Sequence, residues 1–180
     1  MKRTFICTLL ACFALTTSAQ IKFEETFQIQ GTQSELFTAS RQFVTKFAAN
    51  PNYVNQNDDR EGGIIQLKMK AIGRIDYSVM GMAIPCEYYY NYLVTIRVKD
   101  GKARCTVSDI VYDRMDYNGN GNSMPPIHPF LGDENCPPKS QTKFKPAKVC
   151  EMMREIMNEL QEIPKVYKQF MNLYKTDDDF

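Results

Sequence analysis

Few side chains in this sequence could carry chemistry, and each has a plain structural reading beside it. The run Asp116-Tyr117-Asn118-Gly119-Asn120-Gly121 matches the opening D-x-N-x-N-G of a calcium loop. Such a loop needs several hard oxygens, including a bidentate carboxylate at its twelfth position. Ile127 stands there and cannot ligate, and the preceding Val111-Tyr112-Asp113 reads as strand where a helix should enter. Asp116, Asn118 and Asn120 are thus the metal candidates, but the reading adopted is an ordinary Asn/Gly loop with no metal and no cofactor. A Ser/His or Cys/His hydrolytic site would have to use His128, the only histidine, held in Pro125-Pro126-Ile127-His128-Pro129. A surface histidine in an extended segment accounts for it equally well, and no catalytic activity is expected.

Binding is the other chemistry on offer. The tyrosines 88, 89, 90 and 92 could stack on a sugar or a partner, since tyrosine suits surfaces that are apolar on one side and wet on the other. Alternation along a strand turns Tyr88, Tyr90 and Tyr92 to the core and leaves Tyr89 outside. Tyr89, Arg97 and His128 are therefore the ligand-binding candidates. Lys68, Lys70 and Arg97 also read as solvated strand surface.

The element that positions these residues is a long antiparallel hairpin from Glu87 to Asp113. Asp100-Gly101 predicts a two-residue type I′ turn, in which both residues take positive φ. That choice pairs Lys99 with Lys102, Val98 with Ala103, Ile96 with Cys105, Val94 with Val107 and Tyr90 with Val111. One face is apolar and the other mixed, so helices are expected to cover one side only.

Around the hairpin, Ile21, Phe23, Phe27 and Ile29 alternate with polar residues as a first strand. Thr32-Gln33-Ser34-Glu35 is a capping box opening a helix whose stripe is Leu36, Phe37, Ser40, Phe43, Val44 and Phe47, stopped by Asn50-Pro51. Strands follow at Tyr53–Asn57 and Gly63–Ile72 around the polar turn 58–62, and Arg74–Cys86 is ambiguous. Met115–Pro146 is a long Asn/Gly/Pro-rich segment. Val149, Met153, Ile156, Leu160, Ile163, Tyr167, Phe170 and Tyr174 mark a final helix over about 147–174, with a kink expected at Pro164.

The chain has 180 residues, 43% hydrophobic and 24% charged, which suits one domain with a real core. Met1-Lys2-Arg3, the apolar Phe5–Leu15 and Thr17-Ser18-Ala19 form a signal peptide over residues 1–19, leaving a single domain over 20–180. A lipid anchor at Cys12 of Leu9-Leu10-Ala11-Cys12 is the rival. The expectation is export to the periplasm or beyond, with no transmembrane span in the mature chain. The formal charge is +1, and losing Lys2 and Arg3 takes the basic count from 22 to 20 against 21 acids, near −1. No nucleic-acid partner is expected of so neutral a chain. Cys86, Cys105, Cys136 and Cys150 remain, and an oxidising compartment suggests disulfides. Cys105 lies near the turn end of the hairpin and Cys86 at the other, beside the loop after Asp113, so Cys86–Cys136 is the favoured bridge. The alternative is that all four are small buried hydrophobes.

Phe27 with Thr32-Gln33-Ser34-Glu35-Leu36-Phe37, the turn Asp58-Asp59-Arg60-Glu61-Gly62-Gly63, and Tyr92–Lys102 (YLVTIRVKDGK) resemble a secreted bacterial domain-of-unknown-function family with a TATA-binding-protein-like (TBP-like) fold. The resemblance spans about Phe23 to Val111. It implies an α+β fold, β-α-β(n)-α, with a curved antiparallel sheet and two helices on one face. It carries no catalytic residues across, and it leaves the segment from Met115 to Cys150 unsupported. Together these readings predict an exported, non-catalytic binding or interaction module of the bacterial cell envelope, with an unknown envelope protein as partner. The alternative is a small-ligand or glycan binder using the outer sheet face.

Overall fold

The computed structural model describes residues 21–48, 55–79, 81–117 and 146–177. The expected signal peptide, Asn118, Asn120, His128 and Cys136 lie outside them. The elements run β1 (Phe23–Gln28), α1 (Gln33–Phe47), β2 (Asn55–Asp59), β3 (Ile64–Val79), β4 (Met82–Lys99), β5 (Lys102–Tyr117) and α2 (Pro146–Asp177). The five strands form one antiparallel sheet in the order β1-β5-β4-β3-β2. Helix α1 thus carries the chain from one sheet edge to the other. Among the described residues no helix is long and apolar enough to cross a membrane.

Period-two alternation sends one set of strand side chains under the helices. Leu67, Tyr90, Val94, Cys105 and Val107 are fully buried there, beneath Leu36 and Phe37 of α1 and Leu160, Tyr167 and Met171 of α2. The capping box forms as expected, with Glu35 N–H donating to Thr32 Oγ1 at 3.4 Å and Thr32 N–H to Glu35 Oε2 at 2.8 Å. The Ser40 hydroxyl donates to the Leu36 carbonyl at 2.7 Å, so the Tyr167 hydroxyl 2.8 Å away is the donor that ties α2 to α1. Phe43 packs edge-on against the same Tyr167 ring, with centroids 5.1 Å apart. Pro164 is buried inside α2 without ending it. Gly73 sets how close α2 lies, because a Cβ there would stand 2.6 Å from Met152 Sδ and 2.8 Å from Ile156 Cδ1.

The structure corrects three sequence expectations and resolves a stretch left ambiguous. The hairpin register holds from Lys99–Lys102 to Val94–Val107, but Tyr90 pairs with Tyr112 instead of Val111. An extra residue enters β5 at Asp109, whose φ is 53°, and a second shift follows between Tyr89 and Tyr90. The first of these bulges turns Ile110 and Tyr112 to the core and leaves Val111 57% exposed. Second, the turn is not type I′: Gly101 has φ 70°, while Asp100 is not among the positive-φ residues, the sign pattern of a type II turn. The reason is tertiary, since Gly101 N–H donates to the Gly31 carbonyl at 2.9 Å and Asp100 caps α1. The ambiguous stretch is strand, turn and strand, with Gly81 at φ 81° between β3 and β4. Finally, Cys86 is not bridged to Cys136. It is a free thiol, wholly buried opposite Ile75, and the helix-covered face of the sheet encloses it. Burial raises its pKa, with Asp76 adding to the effect. Cys105 is free and buried as well.

Candidate functional site

The face of the sheet turned away from the helices is where the outward candidates sit, and strand register sorts them into rows. At the end far from the Asp100 turn, Arg74, Glu87 and Asp116 form one row across β3, β4 and β5. The next outward row is Ile72, Tyr89 and Arg114, followed by Lys70, Asn91 and Val111. Towards the turn come Lys68, Leu93 and Ser108, then Gln66, Thr95, Thr106 and Glu24. Arg97 lies in the row beyond, between Ile64 and Arg104.

The far end is built around Tyr89. Its hydroxyl donates to Glu87 Oε2 at 2.5 Å, and the same carboxylate takes the Arg74 Nε–H at 2.8 Å. The Arg114 guanidinium lies over the Tyr89 ring, 4.3 Å from its centroid, and reaches Asp116 and Asp113 at 3.3 Å each. Lys70 meets Asp113 at 3.4 Å. These contacts set the electrostatics. The hydrogen bond from Tyr89 holds the Glu87 carboxyl below its usual range, and the same bond raises the Tyr89 phenol. The hydrogen bond to Asp116 raises Arg114 further. Beside this network lie exposed Ile72 (44%) and Val111 (57%), and a buried Asn91 Oδ1 with no hydrogen-bond partner.

Of the expected site residues, then, Tyr89 and Arg97 share this face but sit at opposite ends of it. Tyr88, Tyr90 and Tyr92 are buried on the other face. Asp116 is engaged by Arg114 instead of standing open to a cation, and no cluster of three His, Cys, Asp or Glu side chains that could hold a metal forms among the described residues. Val111 and Arg114 were hidden because the two bulges in β5 turn Val111 outward and set Arg114 opposite Tyr89, whereas Ile72 simply continues the outward alternation of Gln66, Lys68 and Lys70 in β3. A separate cleft of about 490 Å3 runs beside α1, lined by Phe37, Thr38, Arg41, Gln42, Thr45, Lys46 and Arg60. Its cations are occupied: Arg41 pairs with Asp58 at 3.1 Å, Arg60 donates to Ser34 Oγ at 2.9 Å, and Lys46 lies over the Phe170 ring. Tyr89 is not part of it.

A five-stranded antiparallel sheet with two helices on one face, and among the described residues no element on the other, defines an α+β domain of the TBP-like class. The chain belongs to the family described as a domain of unknown function (DUF4468) with TBP-like fold, whose model matches residues 23–113. The fold is similar to that of a TBP-like protein from Parabacteroides distasonis, at TM-score 0.57 and 15% identity over 83% of this chain and 93% of that one. A DUF4468 family protein from Bacteroides ovatus aligns at TM-score 0.49 and 15% identity, over 82% of this chain and 86% of that one. No curated protein matches the chain.

Proposed function

We propose that this chain is an exported, non-catalytic interaction module of the bacterial cell envelope that engages a protein partner through the sheet face turned away from the helices. The observation that carries the reading is the patch of Ile72, Tyr89, Arg114 and Val111, which sets two exposed aliphatic side chains around an arginine-stacked tyrosine. Tyrosine and arginine at the centre of an apolar patch is the composition that protein interfaces favour. Support for export comes from the basic, apolar and small-residue succession at the amino terminus.

The test is a photo-crosslinker placed at Val111 in the native host, with the same group at Asn158 on the exposed side of α2 as control. The expected result is one stoichiometric adduct from position 111, lost with Ile72→Arg, in the envelope fraction. No adduct, or the same smear from both positions, rejects the interface, and a cytoplasmic chain rejects export.

A second reading, a small-ligand or glycan site on the same face, draws on the unpartnered Asn91 Oδ1. It is the weaker reading because Arg114 already covers the Tyr89 ring that a sugar would stack on. Glycan binding abolished by Tyr89→Ala would reverse the order.

A further inference from the structure

The opposite corner of this outer sheet face carries a charge unbalanced among the described residues. In β4 and β5 the register sets Arg97 directly across from Arg104 and Lys99 directly across from Lys102. Val98 and Ala103 between them are buried, so all four cations project from the outer face, and all four are exposed. Like charges directly opposite each other on a sheet oppose pairing, and here two such pairs are adjacent. Their side chains leave the sheet from a rectangle of roughly 5 by 7 Å.

Among the described residues, neighbouring carboxylates do not neutralise the corner. Glu24 already holds Lys22 at 2.6 Å and the Thr106 hydroxyl at 3.1 Å, and reaches only Arg104, at 3.7 Å. Asp59, at the far end of the Arg97 row, accepts the Gly62 N–H at 2.9 Å, and Asp100 is turned to Gln33. The side chains of Arg97, Lys99 and Lys102 have no hydrogen-bond or ion-pair partner among the described residues. The turn beneath them is pinned to α1 and to Gly31, so the four cations stand on fixed backbone.

From this geometry we infer that Arg97, Lys99, Lys102 and Arg104 form a binding site for a phosphoryl group, carried by a small phosphate ester or by a lipid headgroup. A phosphoryl dianion offers several oxygens at once to two guanidinium forks and two ammonium groups, and four cations exceed what a single carboxylate balances. Occupancy removes the like-charge repulsion that the empty corner bears. This site does not depend on the protein-interaction reading, which rests on the far end of the same face.

The test follows backbone amide NMR shifts of the purified chain at low ionic strength, with glycerol 3-phosphate as soluble probe. Co-sedimentation with phosphatidylcholine vesicles, with and without phosphatidic acid, is the lipid arm. Expected are saturable shifts confined to residues 97–104, with affinity falling about tenfold in Arg97→Gln and unchanged in Lys68→Gln, an exposed cation elsewhere on the face. Thermal melting of ligand-free Arg97→Gln at or above the parent temperature shows that the loss is not one of folding. Soluble-probe binding alone assigns a small phosphate ester. Sedimentation only with phosphatidic acid assigns a headgroup. No response in either arm overturns the site, as does an equal loss in Lys68→Gln, which would mark mere attraction to a cationic face.

Discussion

The backbone N–H of Gln33 donates to Asp100 Oδ1 at 2.6 Å, across 67 positions of sequence. Gln33 is the first residue of α1, and its N–H has no partner inside the helix. A carboxylate there satisfies the orphan donor and complements the positive end of the helix dipole. The Gln33 side chain in turn donates to the Glu61 carbonyl at 2.8 Å. The start of α1, the β2–β3 turn and the β4–β5 turn therefore close on one another, and they are the three stretches that carry the family resemblance. Their role in the fold is to lock one end of the sheet to α1.

Replacing Asp100 tests that lock. Asp100→Ala is expected to cost about 1 kcal/mol, the usual worth of a capping interaction. Asp100→Asn, which keeps an acceptor but loses the charge, should cost about half as much. Urea denaturation of the three chains measures both, and equal stability would show that the contact does not hold the turn.

Two glycines with nearly the same φ should respond differently to alanine. At Gly63 (φ 63°) a Cβ would collide with the Val98 carbonyl oxygen, which backbone geometry holds in place. At Gly101 (φ 70°) nothing lies within 4 Å. Gly101→Ala should cost about 1 kcal/mol from the left-handed conformation alone, and Gly63→Ala about 3 kcal/mol or more. Thermal melts of the pair give the comparison directly.

Gly73 offers a test of how α2 is seated. Gly73→Ala presses on the flexible Met152 side chain, so about 1–2 kcal/mol is expected. Gly73→Val should cost more. In a double-mutant cycle, Met152→Ala should relieve part of the Gly73→Ala penalty, whereas strict additivity would mean that the two do not touch.

Alkaline pH should destabilise the fold. Burial pushes the Cys105 thiol up to about 12 from its ordinary 9.0, and burial also raises the Tyr90, Tyr92 and Tyr167 phenols. The folded chain thus holds protons that the unfolded chain releases. The stability linked to Cys105 is complete below pH 9.0 and is lost as pH rises towards about 12. Its slope is about 1.4 kcal/mol per pH unit, with the tyrosines adding to it as they begin to ionise. Denaturation midpoints measured across this range should fall, and Cys105→Ala should flatten the slope.

Much of the architecture was legible because its causes are local. The Thr32–Glu35 box, the alternation that buries Tyr88, Tyr90 and Tyr92 while leaving Tyr89 outside, and the stripe from Met153 to Tyr174 each follow from short-range periodicity and capping chemistry. The turn at Asp100 and Gly101 was legible in position but not in type, since contacts with Gly31 and Gln33 supply an energy that no local preference contains. The outer patch was hidden for a related reason. Alternation reports sidedness only while the register runs unbroken, and one added residue at Asp109 exchanges inside for outside with no change in local propensity. Long-range pairing decided that Val111 is bare, that Arg114 covers Tyr89 and that Cys86 is sealed in the core. The sequence by itself determined the elements and most of their buried faces. Only the packed sheet decided which outward side chains became neighbours, because those pairs join strands whose alignment is set by the whole core.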